Sequence, residues 1–595
     1  MITLLLPVIA AAAASLVVGL DLGSISSNPV VELVARGSDA AANGSRHCRC
    51  FPGDTCWPTQ AEWAAFNKTV GGRLIATVPI ASACHHDSFA PYDAAACADL
   101  QAVWDYPQTH YETSSSPMAP FFANASCDPY TAPSDQCVIG AYVQYAVNAT
   151  GAEDYRATLA FAAQNNIRLV IRNTGHDYFG KSTGAGGLAL WTHHLKDTEF
   201  IADYASPAYS GKAFKLGAGV QFFEAYAAAN AAGVTVVGGS CDTVSLAGGF
   251  TQGGGHGPLI SKFGLGADQV LEWEVVTAAG DHLVASPTAN EDLYWALSGG
   301  GGGTYAAVLS VTVRAHEDLK VAGANLNFTS TGVSDDAFYG AVGTFLMSLP
   351  ALADAGSWSN WQLAQGFFNL QPVFAPGLDK AGLQSLLDPV LDALSASGVT
   401  YVAGYEIYEY DTFYEGFANL NPVYNISEYN FGGRLIPRSL VETSSSTSTL
   451  IDALKFIIAN GGGIGGNHFN VSRFPTGGIS NSVNPIWRTS IFDAALGLPF
   501  DYENFTANFE VQKKMTETLM PALEAITPGG GSYLNEADFR QPDWQTAFYG
   551  ENYAALQGIK DKYDPHGLFY GLTAVGSDRW TIQPDGRLCQ TSCTS

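Results

Sequence analysis

A histidine and a cysteine, about sixty residues apart, each lie in a glycine-containing stretch that could carry chemistry. His176 lies in RNTGHDYFGKSTGAG, residues 172–186, and Cys241 lies in GGSCDTVSLAGGFTQGGGHG, residues 238–257. An imidazole nitrogen and a thiolate are both good nucleophiles toward an electron-poor carbon. The sequence therefore offers two side chains that could bond to one bound organic group.

Glycines near Cys241 indicate a loop that binds phosphate. Gly248, Gly249 and the run Gly253–Gly255 would let backbone N–H groups approach a polyanion without a Cβ in the way. The stretch lacks the GxxxxGK[ST] pattern of a nucleoside triphosphate site, and it lacks a GxGxxG run that opens a helix. The phosphates of a dinucleotide therefore fit better. His256 is interpreted as a turn residue packed behind the glycines.

The elements that would position these residues follow from hydrophobic periodicity. CVIGAYVQYAV alternates like a strand, EDYRATLAFAAQNN has helical spacing, and IRLVI reads as a short buried strand. Together they predict a β-α-β unit with the His176 loop at the carboxyl end of its second strand, where α/β proteins usually bind ligands. A helix is predicted at 221–232, and a β-hairpin that turns at Ala279-Gly280 follows.

The second half of the chain has a mixed pattern. Strand-like runs such as NLNFTST, YVAGYEIYEY and GGNHFNVSR alternate with helical runs such as DALKFIIAN and VQKKMTETLMPALEAI. This favours an antiparallel sheet backed by helices. In the later run YLNEADF, Tyr533 and Asn535 are predicted to share one face of a strand.

The order of RNTGHDY, SCDT, GGFTQGGGHGPL, GLGADQVLEWEVVTAAG and YLNEADF resembles the vanillyl-alcohol-oxidase-type flavoproteins. Within them the chain is most similar to the berberine-bridge-enzyme-like secreted fungal oxidases, including isoamyl-alcohol-oxidase-like ones, over roughly residues 45–580. The resemblance implies an α+β fold with an FAD-binding domain of the vanillyl-alcohol-oxidase/PCMH type and a separate substrate domain. It also implies FAD bonded through its 8α-methyl carbon to His176 and through C6 to Cys241.

Two features of the implied FAD site remain open. Asp242 follows Cys241 where the family usually has proline, and its carboxylate would raise the pKa of the thiol. Asp177 would either orient His176 or cap the loop. Besides His176, Cys241 and Asp177, the residues that the resemblance assigns to the cofactor are Arg172, Asn173, Thr174, Gly175, Tyr178, Gly180, Ser182, Ser240, Thr243, Gly248, Gly249, Gly253, Gly255, Tyr533 and Asn535.

The catalytic base is expected on the sheet of the substrate domain. In the relatives a strand glutamate takes this role, and the matching position here is His468 in GNHFN. A neutral histidine is a competent base near neutral pH, although a plain strand histidine fits the sequence equally well. Tyr405, in a strand with Tyr408 and Tyr410, is the second candidate. No metal site is predicted.

The predicted organisation has six parts. The first 20 residues are uncharged and apolar and are interpreted as a signal peptide, with a membrane anchor as the alternative. The parts are a signal peptide at 1–20, a Cys-rich extension at 21–130, an FAD-binding domain at 131–317, a substrate domain at 318–528, a C-terminal segment returning to the FAD domain at 529–580, and a tail at 581–595.

Composition and sequons point to a secreted glycoprotein. The net charge of −27 disfavours binding to nucleic acid or to an anionic membrane. Eight Asn-x-Ser/Thr sequons predict N-glycans, at Asn43, Asn67, Asn124, Asn148, Asn327, Asn425, Asn470 and Asn504.

Cysteine usage supports the same compartment. Seven of the ten cysteines lie between Cys48 and Cys137, and two more are Cys589 and Cys593. They are interpreted as disulfides of unknown connectivity, with Cys593 as the spare thiol. A zinc site at Cys48 and Cys50 with His47, His85 and His86 is disfavoured because the spacing matches no known finger.

These features predict a secreted FAD-dependent oxidase that acts on CH–OH groups of a small-molecule or oligosaccharide substrate and reduces O2 to hydrogen peroxide. One alternative is a dehydrogenase that uses another acceptor, and another is a non-catalytic binding module. The identity of the substrate, a carbohydrate or a secondary metabolite among the options, and the oligomeric state do not follow from the sequence.

Overall fold

The computed structural model describes residues 48–86, 89–400, 405–475 and 479–591. The signal peptide predicted at 1–20, the sequon at Asn43, the histidine at 47 and the cysteine at 593 therefore lie outside the described residues.

The N-terminal stretch that the sequence presents as disulfide-held loops also contains short helices. Helix α1 begins in a capping box, in which Thr59 and Glu62 bind each other's backbone N–H groups. These helices are short and only weakly amphipathic, so their periodicity is hidden in a Cys- and Pro-rich background. The elements are α1 (Gln60–Thr69), β1 (Leu74–Ala76), α2 (Ala94–Val103), α3 (Pro107–Tyr111) and α4 (Pro120–Ala123).

Four disulfides hold this stretch. The bonds Cys50–Cys56, Cys84–Cys97 and Cys127–Cys137 join residues 6, 13 and 10 positions apart, whereas Cys48–Cys589 joins residues 541 positions apart. Because Cys48 and Cys50 are both oxidised, neither thiol can serve the zinc site that the sequence left open. Cys241 is the free cysteine among the described residues.

The predicted β-α-β unit is present and carries the His176 loop. Helix α5 packs Tyr155, Leu159 and Ala162 inward at helical spacing. The four-stranded sheet has the order β1-β2-β4-β3, in which β2, β4 and β3 run parallel and β1 joins antiparallel. The new elements are β2 (Tyr145–Asn148), α5 (Ala152–Gln164), β3 (Leu169–Arg172) and β4 (Leu188–Trp191).

A five-stranded antiparallel sheet completes the first unit, in the order β5-β6-β10-β8-β9, and β7 pairs with β11. The predicted helix near 221–232 and the hairpin at Ala279-Gly280 both form here. The elements are β5 (Thr198–Ser206), β6 (Tyr209–Gly217), α6 (Phe222–Ala231), β7 (Val234–Thr235), α7 (Ile260–Phe263), β8 (Val270–Val276), β9 (His282–Ala285), α8 (Glu291–Leu297), β10 (Ala307–Arg314) and β11 (His316–Glu317).

A seven-stranded antiparallel sheet forms the second unit, in the order β15-β12-β14-β13-β17-β18-β16. The predicted antiparallel sheet backed by helices is thereby confirmed. Its elements are β12 (Val321–Thr329), α9 (Asp335–Asp354), β13 (Trp358–Ala364), β14 (Phe367–Pro376), α10 (Lys380–Ser397), β15 (Glu406–Tyr410), α11 (Phe413–Leu420), β16 (Tyr429–Pro437), α12 (Ser444–Ala459), β17 (Gly463–His468), β18 (Ser490–Pro499), α13 (Ala507–Lys514) and α14 (Met520–Glu524).

The two faces of this sheet bury different partners. One face packs against α9, α10 and α12, with Phe492 and Ile436 in that core. The opposite face contributes Leu435 and Trp358 to the core shared with the first unit. Among the described residues α9 is long and apolar enough to cross a membrane, but it lies in the core of the second unit.

The C-terminal segment returns to the first unit. Its elements are α15 (Trp544–Tyr549), α16 (Tyr553–Tyr563), β19 (Trp580–Ile582) and β20 (Leu588–Gln590). Tyr549 and Leu556 of these helices are buried in the core that the two units share. The segment therefore helps to enclose the space between them.

Candidate functional site

A cavity lies where the His176 loop, the glycine-rich run and the C-terminal segment meet. It has a volume of about 230 Å³ and is open to the protein surface. The residues from the sequence-based set that line it are Asn173, Thr174, Gly175, His176, Asp177, Tyr178, Ser182, Ser240, Cys241, Gly248, Gly249, Tyr533 and Asn535.

The His176 loop is held by the carboxylate of Asp177. Its oxygens accept hydrogen bonds from the backbone N–H groups of Phe179 at 2.7 Å, Lys181 at 3.0 Å and Ser182 at 2.9 Å. Of the two roles open from the sequence, Asp177 therefore has the capping role. The loop presents His176 at the carboxyl end of β3, with the exposed edge of its ring toward the cavity.

Thr243 joins the two predicted nucleophiles. Its hydroxyl lies 2.8 Å from His176 Nε2 and 3.8 Å from Cys241 Sγ. Burial, with the positive charges of His110 and Arg172, lowers the pKa of His176 to about 3, so its imidazole is neutral near pH 7. The imidazole and the thiol thus converge on one end of the cavity.

The thiol of Cys241 is the weaker nucleophile of the two. Burial raises its pKa to about 12; the charges of Asp242 and Glu536 add to this rise, and the hydrogen bond from Thr243 opposes it. The predicted influence of Asp242 on the thiol is therefore present, behind the larger effect of burial.

Glycines form a cradle along the cavity wall. A Cβ built on Gly249 would have no atom nearer than 3.9 Å, and one on Gly303 would likewise have none nearer than 3.9 Å. Such side chains would project into cavity space rather than into protein. Gly302 and Gly303 also line the cavity; the sequence analysis did not single them out, although they stand in the run SGGGGG.

Two buried acceptors on the same wall have no partner among the described residues. They are Asn173 Oδ1 and Gln252 Oε1, and both side chains line the cavity. Buried polar atoms are nearly always hydrogen-bonded in proteins, so unpaired ones at a cavity indicate a ligand with matching donors. A glycine cradle with free acceptors and two nucleophiles at one end fits a large dinucleotide cofactor.

Several residues of the predicted set do not line the cavity. Arg172 is fully buried, and its guanidinium donates to the backbone carbonyls of His110, Thr113 and Ser116 in the N-terminal stretch. Arg172 therefore does not line the cavity as predicted; its guanidinium lies under the loop that follows β3, where a Cβ on Gly175 would be 2.7 Å from its Nη1.

Three predicted glycines serve turns and close approaches instead. Gly180 has φ +70° and would place a Cβ 2.3 Å from the ring of Phe122; Gly255 has φ +80° and would place one 2.7 Å from Phe250. A Cβ on Gly253 would lie 2.5 Å from Asn535 Nδ2. Thr243 is also absent from the cavity wall and acts through His176 and Cys241.

Tyr533 and Asn535 lie in a turn, not on a strand as the sequence predicts. They still act together, because Asn535 Nδ2 donates to Tyr533 OH at 2.8 Å and to the carbonyl of Gly249 at 2.8 Å. The turn thereby ties the C-terminal segment to the glycine cradle.

The predicted base His468 faces away from the cavity. It is fully buried, lies 3.0 Å from Ser357 Oγ and hydrogen-bonds to Ser359 Oγ on the helix-backed face of the sheet. Side chains alternate between the faces of a strand, so the preceding residue, Asn467, shares the cavity-side face with its cross-strand partner Asp493. The structure thus places the predicted base His468 on the face of the sheet away from the cavity, where its ring contacts Ser357 and Ser359.

Tyr405, the second predicted base, does not line the cavity either. It packs at the edge of the helix-backed core, and its hydroxyl donates to Gln384 Oε1 at 3.3 Å. Tyr408 and Tyr410 lie in the edge strand β15, which begins one residue after Tyr405, and they pack against the core shared with the first unit. These tyrosines are thus structural residues of the second unit.

Replacing His468 by glutamine is expected to change the pH dependence of stability. Burial lowers the pKa of His468 to about 3, whereas the unfolded chain binds this proton near pH 6.5. The contribution of His468 to the free energy of unfolding is therefore complete above about pH 6.5 and is lost as the pH falls toward 3. In the variant, the slope of the free energy of unfolding against pH should therefore decrease by up to about 1.4 kcal/mol per pH unit over this range.

Urea unfolding at several pH values between 4 and 7 measures this slope. His566→Gln is the matched control, because His566 is exposed. An unchanged slope in His468→Gln would contradict the assigned burial effect.

A second cluster, which the sequence does not predict, lies beside the cavity. His256 and Glu536 both line it, and His256 Nε2 lies 3.3 Å from Glu536 Oε2. Asp493 completes the group: a ring nitrogen of His256, a carboxylate oxygen of Asp493 and a carboxylate oxygen of Glu536 all lie within 4.8 Å of one another. His256 is thus more than the turn residue that the sequence favoured. In the sequence, the one indication of this cluster is the charged residue Glu536, which follows the predicted cofactor residue Asn535 in YLNEADF.

Comparison with known proteins gives the following similarities. Residues 143–286 match the family model for an FAD binding domain, and residues 532–575 match the model described as berberine and berberine like. The chain is 50% identical to the FAD-linked oxidoreductase sor8 of Hypocrea jecorina, over 93% of this chain and 95% of the relative. It is 45% identical to the VAO-type flavoprotein oxidase VAO615 of Thermothelomyces thermophilus, over 92% of this chain and 96% of that one.

A solved structure agrees with these matches. The crystal structure of the VAO-type flavoprotein MtVAO615 from Myceliophthora thermophila C1 superposes with a TM-score of 0.87 at 44% identity and covers 91% of this chain and 100% of that chain.

Proposed function

The chain belongs to the vanillyl-alcohol-oxidase-type, berberine-bridge-enzyme-like family of FAD-linked oxidoreductases, and from this premise we propose that it is a secreted oxidase of CH–OH groups. Its FAD would be bonded to both His176 and Cys241. When bound, FAD supplies a two-electron acceptor that takes hydride from a substrate and passes the electrons to O2, giving hydrogen peroxide.

The convergence of His176 and Cys241 on Thr243 carries the tethering proposal. Both side chains lie within 4 Å of one hydroxyl and both keep an exposed edge on the cavity. The 8α-methyl carbon and C6 belong to the same benzenoid ring, so two nucleophiles at one end of the cavity suit two links to it. Each link replaces one C–H bond of the cofactor and one N–H or S–H bond of the protein, and the two electrons and two protons that each link releases reduce one O2 to hydrogen peroxide.

The two links should differ in ease of formation. His176 is neutral at pH 7, so its lone pair is free to attack, whereas the Cys241 thiol must first lose a proton that burial retains. Thr243, in contact with both, orients them. The His176 link is therefore expected to form first and the Cys241 link to follow it.

A denaturing gel viewed under ultraviolet light after acid treatment tests the tether. Wild type is expected to keep band-associated flavin, and so are His176→Ala and Cys241→Ala singly; the double variant should lose all of it. His282→Ala, on the exposed strand β9, is the control and should match wild type. Flavin that washes out of the denatured wild type would overturn the tether.

Oxidase activity is supported by the printed name of the relative VAO615, a flavoprotein oxidase at 45% identity. Oxygen uptake with peroxide release from a panel of alcohols and sugars is the corresponding measurement. Turnover that requires a dye and consumes no oxygen would favour a dehydrogenase instead.

Secretion and N-glycosylation are proposed from the disulfides and the sequons. Four disulfides among the described residues suit an oxidising compartment. The sequon asparagines within the described residues are exposed or half-buried, at Asn67, Asn124, Asn148, Asn327, Asn425, Asn470 and Asn504. In the same gel, the flavin-bearing band is expected in the medium of a fungal host and should shift to lower mass after glycosidase treatment.

A further inference from the structure

The acidic cluster beside the cavity has the geometry of a proton acceptor. The side chain of Glu536 is 30% exposed, toward the cavity, while the side chain of His256 behind it is 7% exposed. His256 is further enclosed by the rings of Tyr533 at 5.3 Å and Trp487 at 6.2 Å. One carboxylate therefore meets the cavity, and its partner is held within protein.

Asp493 adds an independent observation. It is 0% exposed, and neither carboxyl oxygen has a hydrogen-bond partner among the described residues. Leaving an ionised carboxylate unpaired in protein is very costly, so this group needs either a proton or a charge partner from the cluster. Burial and the nearby charge of Glu536 raise the pKa of Asp493 well above its usual value, which keeps the proton on it at neutral pH.

A polar row crosses the sheet beside this cluster. Cross-strand register places Asp493 on β18 opposite Asn467 on β17, and Asn467 opposite Asn360 on β13. Directly paired residues share a face, so these three side chains lie on the side of the first unit. The buried Asn467 Oδ1 also has no partner within the described chain, which suits a protonated neighbour that can donate to it.

The tyrosines of the cavity are poor alternatives as bases. Burial raises the pKa of Tyr178 and of Tyr533, and the negative charge of Glu536 raises both further. Neither phenol would give up its proton to become a base near neutral pH. Glu536 also contributes to the rise in the pKa of Cys241, so its charge acts on the end of the cavity where the proposed tethers lie.

We propose that Glu536 is the catalytic base that takes the hydroxyl proton of the substrate, and that His256 and Asp493 are the positioning residues behind it. The inference rests on the proposed function. The substrate O–H bond breaks and its proton goes to the Glu536 carboxylate. The electron pair of that bond stays on oxygen and becomes the second bond of C=O, as the carbon-bound hydrogen leaves as hydride, for which FAD is the acceptor.

The pH dependence follows from His256. Burial lowers the pKa of His256, but the charge and hydrogen bond of Glu536 more than offset this and place the pKa above its usual value. A proton shared with His256 weakens the base, so turnover should rise with pH through a value above about 6.5. Besides the members of the cluster itself, the titratable groups that interact electrostatically with Glu536 are Tyr533, Tyr178, Tyr424 and Cys241.

Turnover of the holoenzyme tests the base. Peroxide release is measured with primary aliphatic alcohols, benzyl alcohol and cellobiose, and the best of these becomes the probe. Glu536→Gln is expected to lower kcat by roughly 10²- to 10⁴-fold, with KM changed by less than about threefold, and to remove the acid limb of the pH profile. Glu536→Asp should recover part of the rate. Glu524→Gln, which removes the same charge beside Gln541, should behave as wild type.

Infrared spectroscopy supplies a readout that needs no turnover. At pH 7 the wild-type holoenzyme should show the carbonyl band of a protonated carboxyl that disappears in Asp493→Asn. The same variant should retain flavin and leave the acid limb in place, because a protonated Asp493 carries no charge that could act on His256. A band unaffected by Asp493→Asn would overturn the assigned positioning role.

The outcomes separate the two proposals. If the wild type lacks flavin or releases no peroxide, the proposed function fails and the base assignment falls with it. An active wild type with an equally active Glu536→Gln overturns the base alone. An equivalent of bound metal that is lost in Glu536→Gln would also overturn it, because a coordinated carboxylate cannot accept the substrate proton.

Discussion

A Gly249→Leu variant is expected to fold and to purify without flavin. Gly249 lies in the glycine cradle, and a Cβ there would have open cavity space around it, with Asn535 Oδ1 as its nearest atom at 3.9 Å. A leucine would therefore fill the space that the cofactor needs without disturbing the core. The ratio of flavin to protein absorbance should fall at least roughly tenfold, which corresponds to about 1.4 kcal/mol or more of lost binding.

Gly340→Leu is the matched control. It is an exposed glycine in α9 with nothing within 4 Å of a built Cβ, so leucine there should leave flavin content unchanged. Gly249→Ala should give an intermediate ratio. A Gly249→Leu protein with full flavin content would show that the cofactor lies elsewhere.

Replacing Lys560 by methionine is expected to lower the free energy of unfolding by about 3–5 kcal/mol. Lys560 Nζ donates to Asp564 at 2.6 Å, to the carbonyl of Thr304 at 2.8 Å and to that of Phe569 at 2.7 Å, and both charged side chains are buried. Methionine keeps the volume but leaves the Asp564 charge unpaired. Thr304 follows the cradle glycines, so the change should also loosen the cavity wall.

Lys562→Met, two residues along the same helix, is the control. Lys562 pairs with Asp292 at 2.6 Å, but its side chain is 58% exposed, so its loss should cost less than about 1 kcal/mol. Denaturant unfolding of the two variants in parallel gives the comparison. Equal midpoints would contradict the role of the buried pair.

Local patterns in the sequence were sufficient to predict the His176 loop and the glycine cradle. The apolar strand before His176 and the helical spacing of Tyr155, Leu159 and Ala162 predict the β-α-β unit, and the loop after β3 reaches the cavity as expected. Glycines that flank Cys241 likewise predict the cradle. Each of these features depends on residues that are close together in the chain.

The second half of the site depends on strand register, which is a tertiary property. Asn467 and His468 are adjacent, and only the packing of helices on one face of the sheet decides which of them lies on the side of the first unit. The side chain of Arg172 follows the same logic, because its partners lie in the N-terminal stretch around His110. No periodicity within a strand contains that information.

The cluster at the cavity could not be assembled from sequence for a related reason. His256, Asp493 and Glu536 come from three regions of the chain, and a salt bridge between residues 280 positions apart joins two of them. Each residue alone has an ordinary explanation, as a turn histidine, a strand aspartate or a loop glutamate. Their proximity in the fold, beside the cavity, is what distinguishes them.

The disulfide Cys48–Cys589 can form only after nearly the whole chain has been synthesised. At about 5–20 residues per second, the 541 residues between the two cysteines take roughly half a minute to two minutes to be synthesised. The three short-range pairs can close as soon as their segments emerge, while Cys48 must wait as a thiol beside Cys50 and Cys56. The Cys48–Cys589 bond is thus the last of the four disulfides to form, and it forms only when the C-terminal segment has packed beside the N-terminal stretch.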